Sequence, residues 1–192
     1  MIVVFGGAFN PPTRAHFELM KTICNLSDVS RVILMPVGDQ YGKAELIAAS
    51  HRVKMLEILA DKLNNVEVSR LEVDFSRTLK TLETLTLLKE VFPTESICFV
   101  MGADNLEELP TWYRYRELIQ NFKILVVNRE NSCISDYIKK LYPHDTGRFI
   151  TLNDFSSLPI SSSLFRKTYD SNLVENEVFD YILKNNLYVP VS

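Results

Sequence analysis

Short apolar segments alternate with segments of helical periodicity along this chain. The apolar segments are too short for buried helices, and they predict strands at residues 2–5, 31–36, 96–102, 123–128 and, more briefly, 148–152. Residues 66–73 alternate apolar and polar positions, which is typical of an edge strand with one face in water. Helical spacing predicts helices at residues 13–26, 50–63, 135–141 and 178–188. It also predicts a helix that opens within residues 74–82 and runs to about 91, and another after residue 163.

This alternation predicts an α/β fold. Strands that are apolar throughout are buried on both faces, as the strands of a parallel sheet are. We therefore expect a Rossmann-like, doubly wound parallel sheet of five to six strands flanked by helices. The chain has 192 residues, with 46% hydrophobic and 23% charged content. That is enough for one well-buried domain and short for two, so residues 1–192 are interpreted as a single domain.

The first loop carries the clearest candidate chemistry. Gly6 and Gly7 end the first strand and a helix follows, so that backbone N–H groups and the positive end of the helix dipole meet where no Cβ intrudes. This predicts an anionic ligand, with phosphate as the first candidate, and His16 lies one turn into the helix, where its ring can donate to phosphate oxygens. The glycines alone do not separate this from a capped helix with a half-buried histidine. Neither a G-x-G-x-x-G fingerprint nor a P-loop is present.

Two further loops follow strands at the edge of the sheet where ligands bind. Tyr41 and Lys43 come after the second strand, in what is either a solvated connection or a ligand loop. Gly102 ends the fourth strand, and Asp104 after it either contacts a ligand or caps a short helix. Arg52, in the first turn of the second helix, is interpreted as structural.

The hydroxyl-rich turns have both a capping and a binding interpretation. Ser161, Ser162 and Ser163 precede a helix in which Arg166 lies one turn on, and these donors together fit a phosphate, although a serine run is typical of capping. From the residues alone, Thr78 is interpreted as a capping or first-turn residue of the helix that follows. Trp112, the single tryptophan, would be a core residue by default. Because it follows a Pro-Thr pair beside the crevice, we interpret it as stacking on a flat ring.

Composition excludes some partners. A net charge of −3 and a pI near 5.7 give no basic footprint, so we expect neither nucleic acid nor an anionic membrane as a partner. Three widely spaced cysteines, at positions 24, 98 and 133, favour reduced thiols in a cytoplasmic protein. We expect no targeting leader and no apolar run that spans a bilayer. The sequence leaves the oligomeric state open, a homo-oligomer included.

The residues of the first loop carry a family resemblance. Residues 7–16, G-A-F-N-P-P-T-R-A-H, resemble the G-x-F-(D/N)-P-x-(H/T)-x-x-H signature of the nucleotidyltransferase superfamily, and specifically the nicotinate/nicotinamide mononucleotide adenylyltransferases. Thr13 stands where many bacterial members have histidine, and Ala15 where they usually have glycine. Four further stretches are similar to the family, in its order along the chain: the Tyr-Gly-Lys loop at 41–43, the Gly-x-Asp turn at 102–104, the Pro-Thr-Trp loop at 110–112 and residues 160–166.

The resemblance implies a reaction. The 5′-phosphate of nicotinic acid mononucleotide would attack the α-phosphorus of ATP in line, and pyrophosphate would leave without a covalent enzyme intermediate. The acid is the expected principal substrate, and the amide a second one. Mg²⁺ would be carried with the ATP phosphates, and no metal site made of protein side chains is expected.

The resemblance also implies roles for individual residues. The expected catalytic residues are His16, Lys43 and Arg166. The expected ATP-binding residues are Gly7, Ala8, Phe9, Thr13, His16, Gly102, Asp104, Ile160, Ser161, Ser162, Ser163 and Arg166. The expected mononucleotide-binding residues are Asn10, Tyr41, Lys43, Thr78 and Trp112.

Three alternatives remain. A pantetheine-phosphate adenylyltransferase or a cytidylyltransferase would keep the first and last motifs but would leave the Pro-Thr-Trp loop unexplained. A non-catalytic nucleotide-sensing module would tolerate the loss of His16 or Arg166, and both are present. Pyrophosphate release from ATP separates an enzyme from a sensing module.

Overall fold

The computed structural model describes residues 1–42, 45–127, 134–152, 155 and 158–189, and within these ranges six strands form one parallel sheet. The strands are β1 (Ile2–Gly7), β2 (Arg31–Pro36), β3 (Val66–Val68), β4 (Ile97–Gly102), β5 (Lys123–Val127) and β6 (Phe149–Leu152). Their order is β3-β2-β1-β4-β5-β6, and every neighbouring pair is parallel. The chain begins in the middle of the sheet and winds outward in both directions, so the predicted doubly wound fold is confirmed.

Six helices in the described residues lie between the strands, and two more follow β6. They are α1 (Arg14–Cys24), α2 (Ala49–Ala60), α3 (Leu71–Asp74), α4 (Thr81–Val91), α5 (Tyr115–Asn121), α6 (Ile134–Leu141), α7 (Ser162–Thr168) and α8 (Asn176–Lys184). None of these helices is both long enough and apolar enough to cross a membrane.

The side chains of β1 alternate between two separate cores. Val3 and Phe5 pack in one apolar cluster with side chains of α1, α2 and α8, including Phe17, Met55 and Val178. Ile2 and Val4 pack in the other with side chains of α4, α5 and α6, including Leu85, Leu118 and Ile138. Burying one such side chain contributes about 1.5–3 kcal/mol to folding. Because both faces of the sheet are covered, its strands are apolar throughout, as the sequence pattern indicated.

The predicted edge strand at 66–73 is shorter than expected. Val66–Val68 pairs with β2 and lies at the edge of the sheet, as predicted, but the ladder ends where the Ser69 N–H donates to the Leu34 carbonyl at 2.9 Å. The Ser69 hydroxyl then accepts from the Leu71 N–H at 3.2 Å, and the chain turns into α3. The apolar–polar alternation in the sequence therefore extends beyond Val68, the last residue of this segment that pairs with a neighbouring strand.

Two helix starts also differ from the sequence expectation. Ser50 was the expected N-cap of α2, but the helix begins at Ala49, whose N–H donates to the Asp39 carboxylate at 2.6 Å. The cap comes from another loop, which local sequence does not reveal. α4 begins at Thr81 and is capped by Glu83, which accepts from the Lys80 N–H at 2.8 Å. This leaves Thr78 outside the helix, in the loop that precedes it.

Candidate active site

A cavity of about 1330 Å³ opens where β1, β2 and β4 end. Pockets for one small molecule typically measure about 300–1,000 Å³, so this cavity has room for two ligands. One part of its wall, which we call the β2 side, comes from the segments that follow β2 and β3 and includes Val37, Tyr41, Glu72, Thr78, Lys80, Thr81 and Thr84. The opposite part, the β4 side, follows β4, β5 and β6 and includes Gly102, Asn105, Val127, Phe155 and residues 158–163. β1 and its glycine turn lie between them, as expected for a topological switch point.

The glycine turn is shaped by Phe9. Phe9 is buried and has a φ of +48°, a left-handed conformation that costs a residue with a Cβ about 1–2 kcal/mol. Its ring lies against Gly7, where an added Cβ would stand 3.2 Å from two ring carbons. Gly7 thus lets the Phe9 ring pack closely under the turn, and a side chain there would require the ring to move by a few tenths of an ångström. Gly6, Gly7 and Ala8 line the cavity, whereas Phe9 supports them from behind.

His16 lies on the cavity wall and is oriented by Thr13. The Thr13 N–H donates to Nδ1 of His16 at 3.0 Å, and the Thr13 hydroxyl lies 2.7 Å from the same nitrogen. Because a backbone N–H can only donate, Nδ1 accepts and the proton of the neutral ring is at Nε2. The ring also packs edge-on against Phe9. Thr13 itself is fully buried, so the structure places it as the residue that orients His16 and not, as the resemblance implied, on the cavity wall.

Asn10 is buried behind the turn. Its Nδ2 donates to the Glu45 carbonyl at 2.8 Å, while its Oδ1 accepts from the Ile47 N–H at 3.2 Å and from the Tyr188 hydroxyl at 2.9 Å. With 1% of its surface exposed, it does not line the cavity. The expected mononucleotide contact at Asn10 therefore does not fit this structure, because both ends of the amide are used to hold two other segments against the turn.

Arg52 connects three segments beneath the site. Its side chain is fully buried and donates to the carbonyls of Ala8 at 3.1 Å, Val37 at 2.7 Å and Ile47 at 2.9 Å, and to the Asp39 carboxylate at 3.2 Å. Burial lowers the pKa of Arg52, and the bond to Asp39 opposes that change. The structural interpretation of Arg52 fits this arrangement. The residue has a further effect, since it fixes the carbonyl of Ala8 in the turn that lines the cavity.

The serine run contributes to the β4 side and closes it against the first turn. The Ser161 hydroxyl caps α7 by accepting from the Leu164 N–H at 3.1 Å, as the capping interpretation predicts. The Ser162 hydroxyl donates to the Pro11 carbonyl at 2.8 Å. Ile160, Ser161, Ser162 and Ser163 all line the cavity, so the two loops that carry the first and last motifs meet there.

Arg166 lies behind the serine run and does not line the cavity. Its Nη1 donates to the Asn10 carbonyl at 2.8 Å, its Nη2 to the Ser163 hydroxyl at 3.4 Å, and its Nε is 3.3 Å from the Glu45 carboxylate. The guanidinium is therefore next to the glycine turn but engaged with protein groups. A phosphate in the cavity would compete with the Glu45 carboxylate for this guanidinium.

On the β4 side, Gly102 lines the cavity and Asp104 does not. An added Cβ at Gly102 would meet the carboxylate of Asp104, an exposed side chain that can rotate away. Asn105 lines the cavity next to them, and sequence reasoning missed it because no recognised motif extends to that position.

Two of the expected mononucleotide residues, Tyr41 and Thr78, lie on the β2 side, and a third, Trp112, follows β4. Tyr41 is 48% exposed at the cavity, and the Thr78 hydroxyl donates to the Gln40 carbonyl at 2.9 Å, which ties the two loops together. Trp112 is half-buried on the wall, with its ring edge-on to Phe99 of β4 at 6.2 Å between centroids. The expected Lys43 lies outside the described residues.

Other polar residues of the cavity were not expected from the sequence. They are Glu72, Lys80, Thr81, Thr84 and Tyr113. Glu72 belongs to the segment expected as a strand, so its position facing the cavity depends on the turn into α3. Within the described ranges, no group of three or more His, Cys, Asp or Glu side chains is arranged to hold a metal ion.

Comparison with known proteins gives a consistent picture. The family model described as "Cytidylyltransferase-like" matches residues 4–168. A protein of Acholeplasma laidlawii described as a "Probable nicotinate-nucleotide adenylyltransferase" is 33% identical over 195 residues, which cover 100% of this chain and 100% of that protein. One from Carboxydothermus hydrogenoformans with the same description is 32% identical and covers 97% of each chain. Among solved structures, the nicotinic acid mononucleotide adenylyltransferase of Plasmodium falciparum complexed with APC superposes with a TM-score of 0.80 at 25% identity, covering 97% of this chain and 96% of that one.

Proposed function

The chain belongs to the cytidylyltransferase-like family, and from this membership and its full-length similarity to adenylyltransferases we propose that it is a nicotinate-nucleotide adenylyltransferase. It joins the AMP part of ATP to nicotinic acid mononucleotide, giving the dinucleotide and pyrophosphate in NAD biosynthesis. The description of the family model names no adenylyl transfer, so the specific reaction rests on the relatives that match over nearly the whole chain, which are described as nicotinate-nucleotide adenylyltransferases.

One observation carries the proposal for the site. The glycine turn, the His16 ring and the serine run line one cavity. The Ser162–Pro11 hydrogen bond joins the first loop to the serine run across 151 positions of the sequence. Each motif alone has a capping explanation. Their convergence on one cavity wall, with room for two substrates, supports a site for phosphate groups between two nucleotides.

In this proposal the chain works by positioning and charge stabilisation. Nε2–H of His16 donates to a phosphate oxygen near the α-phosphorus of ATP, where negative charge develops as the mononucleotide phosphate attacks. The backbone N–H groups at the glycine turn and at the start of α1 face the same oxygens. Ser162 and Ser163 bind the departing pyrophosphate, and Arg166 joins them once its Glu45 contact is released. Lys43 would neutralise a reacting phosphate, as the family resemblance implies.

The pyridine nucleotide is assigned to the part of the cavity between Trp112 and the β2 side. Trp112 presents a flat, half-buried ring on which the pyridine stacks, and Tyr41 and Thr78 line the same cavity from the β2 side. Gly102 and Asn105 on the β4 side are left for the adenosine part of ATP. The acid is the proposed principal mononucleotide, and the amide a slower one.

Mg²⁺ enters this proposal as part of the substrate. It binds phosphate oxygens and keeps several of its waters, so it arrives with ATP.

A cytoplasmic location is also proposed, because Cys24 and Cys98 are free thiols, as is typical of proteins in a reducing compartment. Burial raises the pKa of the Cys98 thiol to about 12, which keeps that thiol unreactive.

The test is pyrophosphate release from Mg–ATP, with nicotinic acid mononucleotide and nicotinamide mononucleotide supplied in parallel. Release that depends on a mononucleotide supports the function, and the ratio of the two kcat/KM values identifies the preferred pyridine. Phosphopantetheine and CTP serve as the substrates of the alternative transferases. ATP binding without turnover of any of them would instead indicate a nucleotide-sensing module.

A further inference from the structure

Glu72 places a carboxyl group on the cavity wall that the reaction proposed above does not use. It is half-buried, and its Oε1 accepts a hydrogen bond from the Thr84 hydroxyl at 2.6 Å. Thr84 is itself 2% exposed. The pair therefore presents a carboxylate whose position is fixed from behind by a buried hydroxyl.

The backbone around Glu72 is also fixed. A Cβ added at Gly38, just after β2, would stand 2.5 Å from the Glu72 carbonyl oxygen, so α3 packs directly on that glycine. Ser69 anchors the other end of the turn through its bonds to Leu34 and Leu71. Since Thr84 belongs to α4, two helices and the end of β2 together determine where the carboxylate lies.

The contribution of Glu72 to stability does not account for this placement. Burial raises the pKa of the carboxyl, which means that the folded protein disfavours its charged form, and the Thr84 hydrogen bond offsets this only in part. Among the ion pairs of the described residues, none includes Glu72. A half-buried carboxylate without a cationic partner weakens folding, and such groups are typical of binding sites.

The chemistry of the group limits what it can bind. A carboxylate repels phosphate and accepts hydrogen bonds from hydroxyl or amine donors. Carboxylates bind the hydroxyls of nucleotide riboses in this way in other α/β proteins. Glu72 shares the β2 side with Tyr41 and Thr78, two of the residues assigned to the mononucleotide, whereas Gly102 and Asn105, which are assigned to the adenosine, are on the β4 side.

We propose that Glu72, held by Thr84, binds the ribose hydroxyls of the pyridine mononucleotide. The inference rests on the proposed function for the identity of the nucleotide. It assigns the carboxylate to the sugar, which the acid and amide substrates share, and not to the pyridine substituent in which they differ. Glu72 is thus a binding residue for both mononucleotides, and Thr84 is a positioning residue for Glu72.

The experiment is a thermodynamic cycle in which one change is made in the enzyme and the other in the substrate. Wild type and Glu72→Gln are each measured with nicotinic acid mononucleotide and with its 2′-deoxy and 3′-deoxy analogues. Hydrogen bonds to charged groups contribute enough that wild type should lose about ten- to a hundredfold in kcat/KM with the analogue that lacks the bound hydroxyl. Glu72→Gln should be weaker by a similar factor with the normal substrate and should lose little more with that analogue.

Two variants complete the set. Thr84→Val removes the hydroxyl that orients Glu72 and should raise the KM for the mononucleotide less than Glu72→Gln does, with the KM for ATP unchanged. Asp74→Asn removes a carboxylate from the same short helix, where it pairs with Arg70 in solvent, and should leave all constants unchanged. Melting curves establish that each variant is folded.

The proposal would be overturned if wild type and Glu72→Gln lost the same factor in kcat/KM when the normal substrate was replaced by a deoxy analogue. A changed ratio of acid to amide turnover in Glu72→Gln would also overturn it, because that result would place the carboxylate at the pyridine substituent. The same cycle measured by calorimetric binding of the mononucleotides needs no turnover. Coupling seen in binding without any pyrophosphate release would support the role of Glu72 while rejecting the proposed function.

Discussion

The backbone N–H of Thr13 and Nδ1 of His16 form a 3.0 Å hydrogen bond across the first turn of α1. A main-chain donor fixes the tautomer more firmly than a side chain does, because it cannot rotate away or exchange donor for acceptor. The tautomer of the His16 ring is therefore determined by the start of the helix.

We expect His16→Ala to lower kcat by on the order of a hundredfold to a thousandfold with little change in either KM, as for the loss of one donor to a developing negative charge. Thr13→Val keeps the backbone donor and should lose far less. Pyrophosphate release measures both. A Thr13→Val variant as slow as His16→Ala would mean that the Thr13 hydroxyl, and not the backbone, orients the ring.

The Arg166–Glu45 ion pair predicts two opposite effects. Arg166→Ala should lower kcat/KM for ATP by on the order of a hundredfold, because the departing pyrophosphate loses its guanidinium. Glu45 is 74% exposed, and such pairs contribute at most about 1 kcal/mol, so Glu45→Gln should lower the KM for ATP by no more than about fivefold. Lys167→Ala, at the exposed next position, is the control. A higher KM in Glu45→Gln would show that Glu45 supports the site.

Replacement of Arg52 should affect stability more than any surface charge does. Arg52→Met leaves the carbonyls of Ala8, Val37 and Ile47 without their donor, and we expect a loss of about 3–5 kcal/mol in the free energy of unfolding. Arg70→Met removes an exposed ion pair and should cost under about 1 kcal/mol. Urea titrations of the two variants give the comparison. Similar losses for both would contradict the role assigned to the buried guanidinium.

Glu72 predicts a pH dependence of stability. Its folded-state pKa lies above its unfolded value, so its unfavourable effect on folding is absent below the unfolded pKa and grows as the pH rises through the folded pKa. Glu72→Gln removes the titration while keeping an acceptor for Thr84. It should melt at a higher temperature than wild type at about pH 8, and the difference should shrink towards about pH 4. An equal difference at both pH values would exclude this cause.

Trp112 should contribute to mononucleotide binding and not to ATP binding. Stacking of a base on an aromatic side chain contributes about 1–3 kcal/mol, so Trp112→Ala should raise the KM for the mononucleotide by about five- to a hundredfold. Trp112→Phe keeps a flat ring and should lie near wild type. The KM for ATP is the internal control, and an equal rise in both KM values would indicate that Trp112 only supports the wall beside Phe99.

The sequence predicted the sheet well because β1, β2, β4 and β5 are buried on both faces, so that burial alone determines their composition. The prediction of a strand over all of residues 66–73 was wrong beyond Val68. Apolar–polar alternation indicates which face of a segment is exposed to water, but not whether a neighbouring strand extends far enough to pair with it. The cap of α2 was missed for a similar reason. Its acceptor, Asp39, is ten residues away and adjacent only in the folded chain.

The loops that carry the sequence motifs line one cavity, but not every side chain of a motif faces it. Asn10, Thr13 and Arg166 belong to recognised motifs, yet each is engaged with protein groups behind the wall. Sequence gives the neighbourhood of a residue along the chain, whereas its orientation depends on contacts with distant segments such as Glu45. Glu72 is the opposite case. It belongs to no recognised motif, yet it lines the cavity because the chain turns into α3 at this point.

The turn at residues 10 and 11 is held by bonds from Ser162, Arg166 and Tyr188, of which the last spans 178 positions. A ribosome makes this turn well before it makes the last of these partners, Tyr188. During translation the nascent chain can pair β1 with β2 long before the turn has its final support. We therefore expect nucleotide binding to appear abruptly and late, when a lengthening ribosome-bound chain exposes Tyr188.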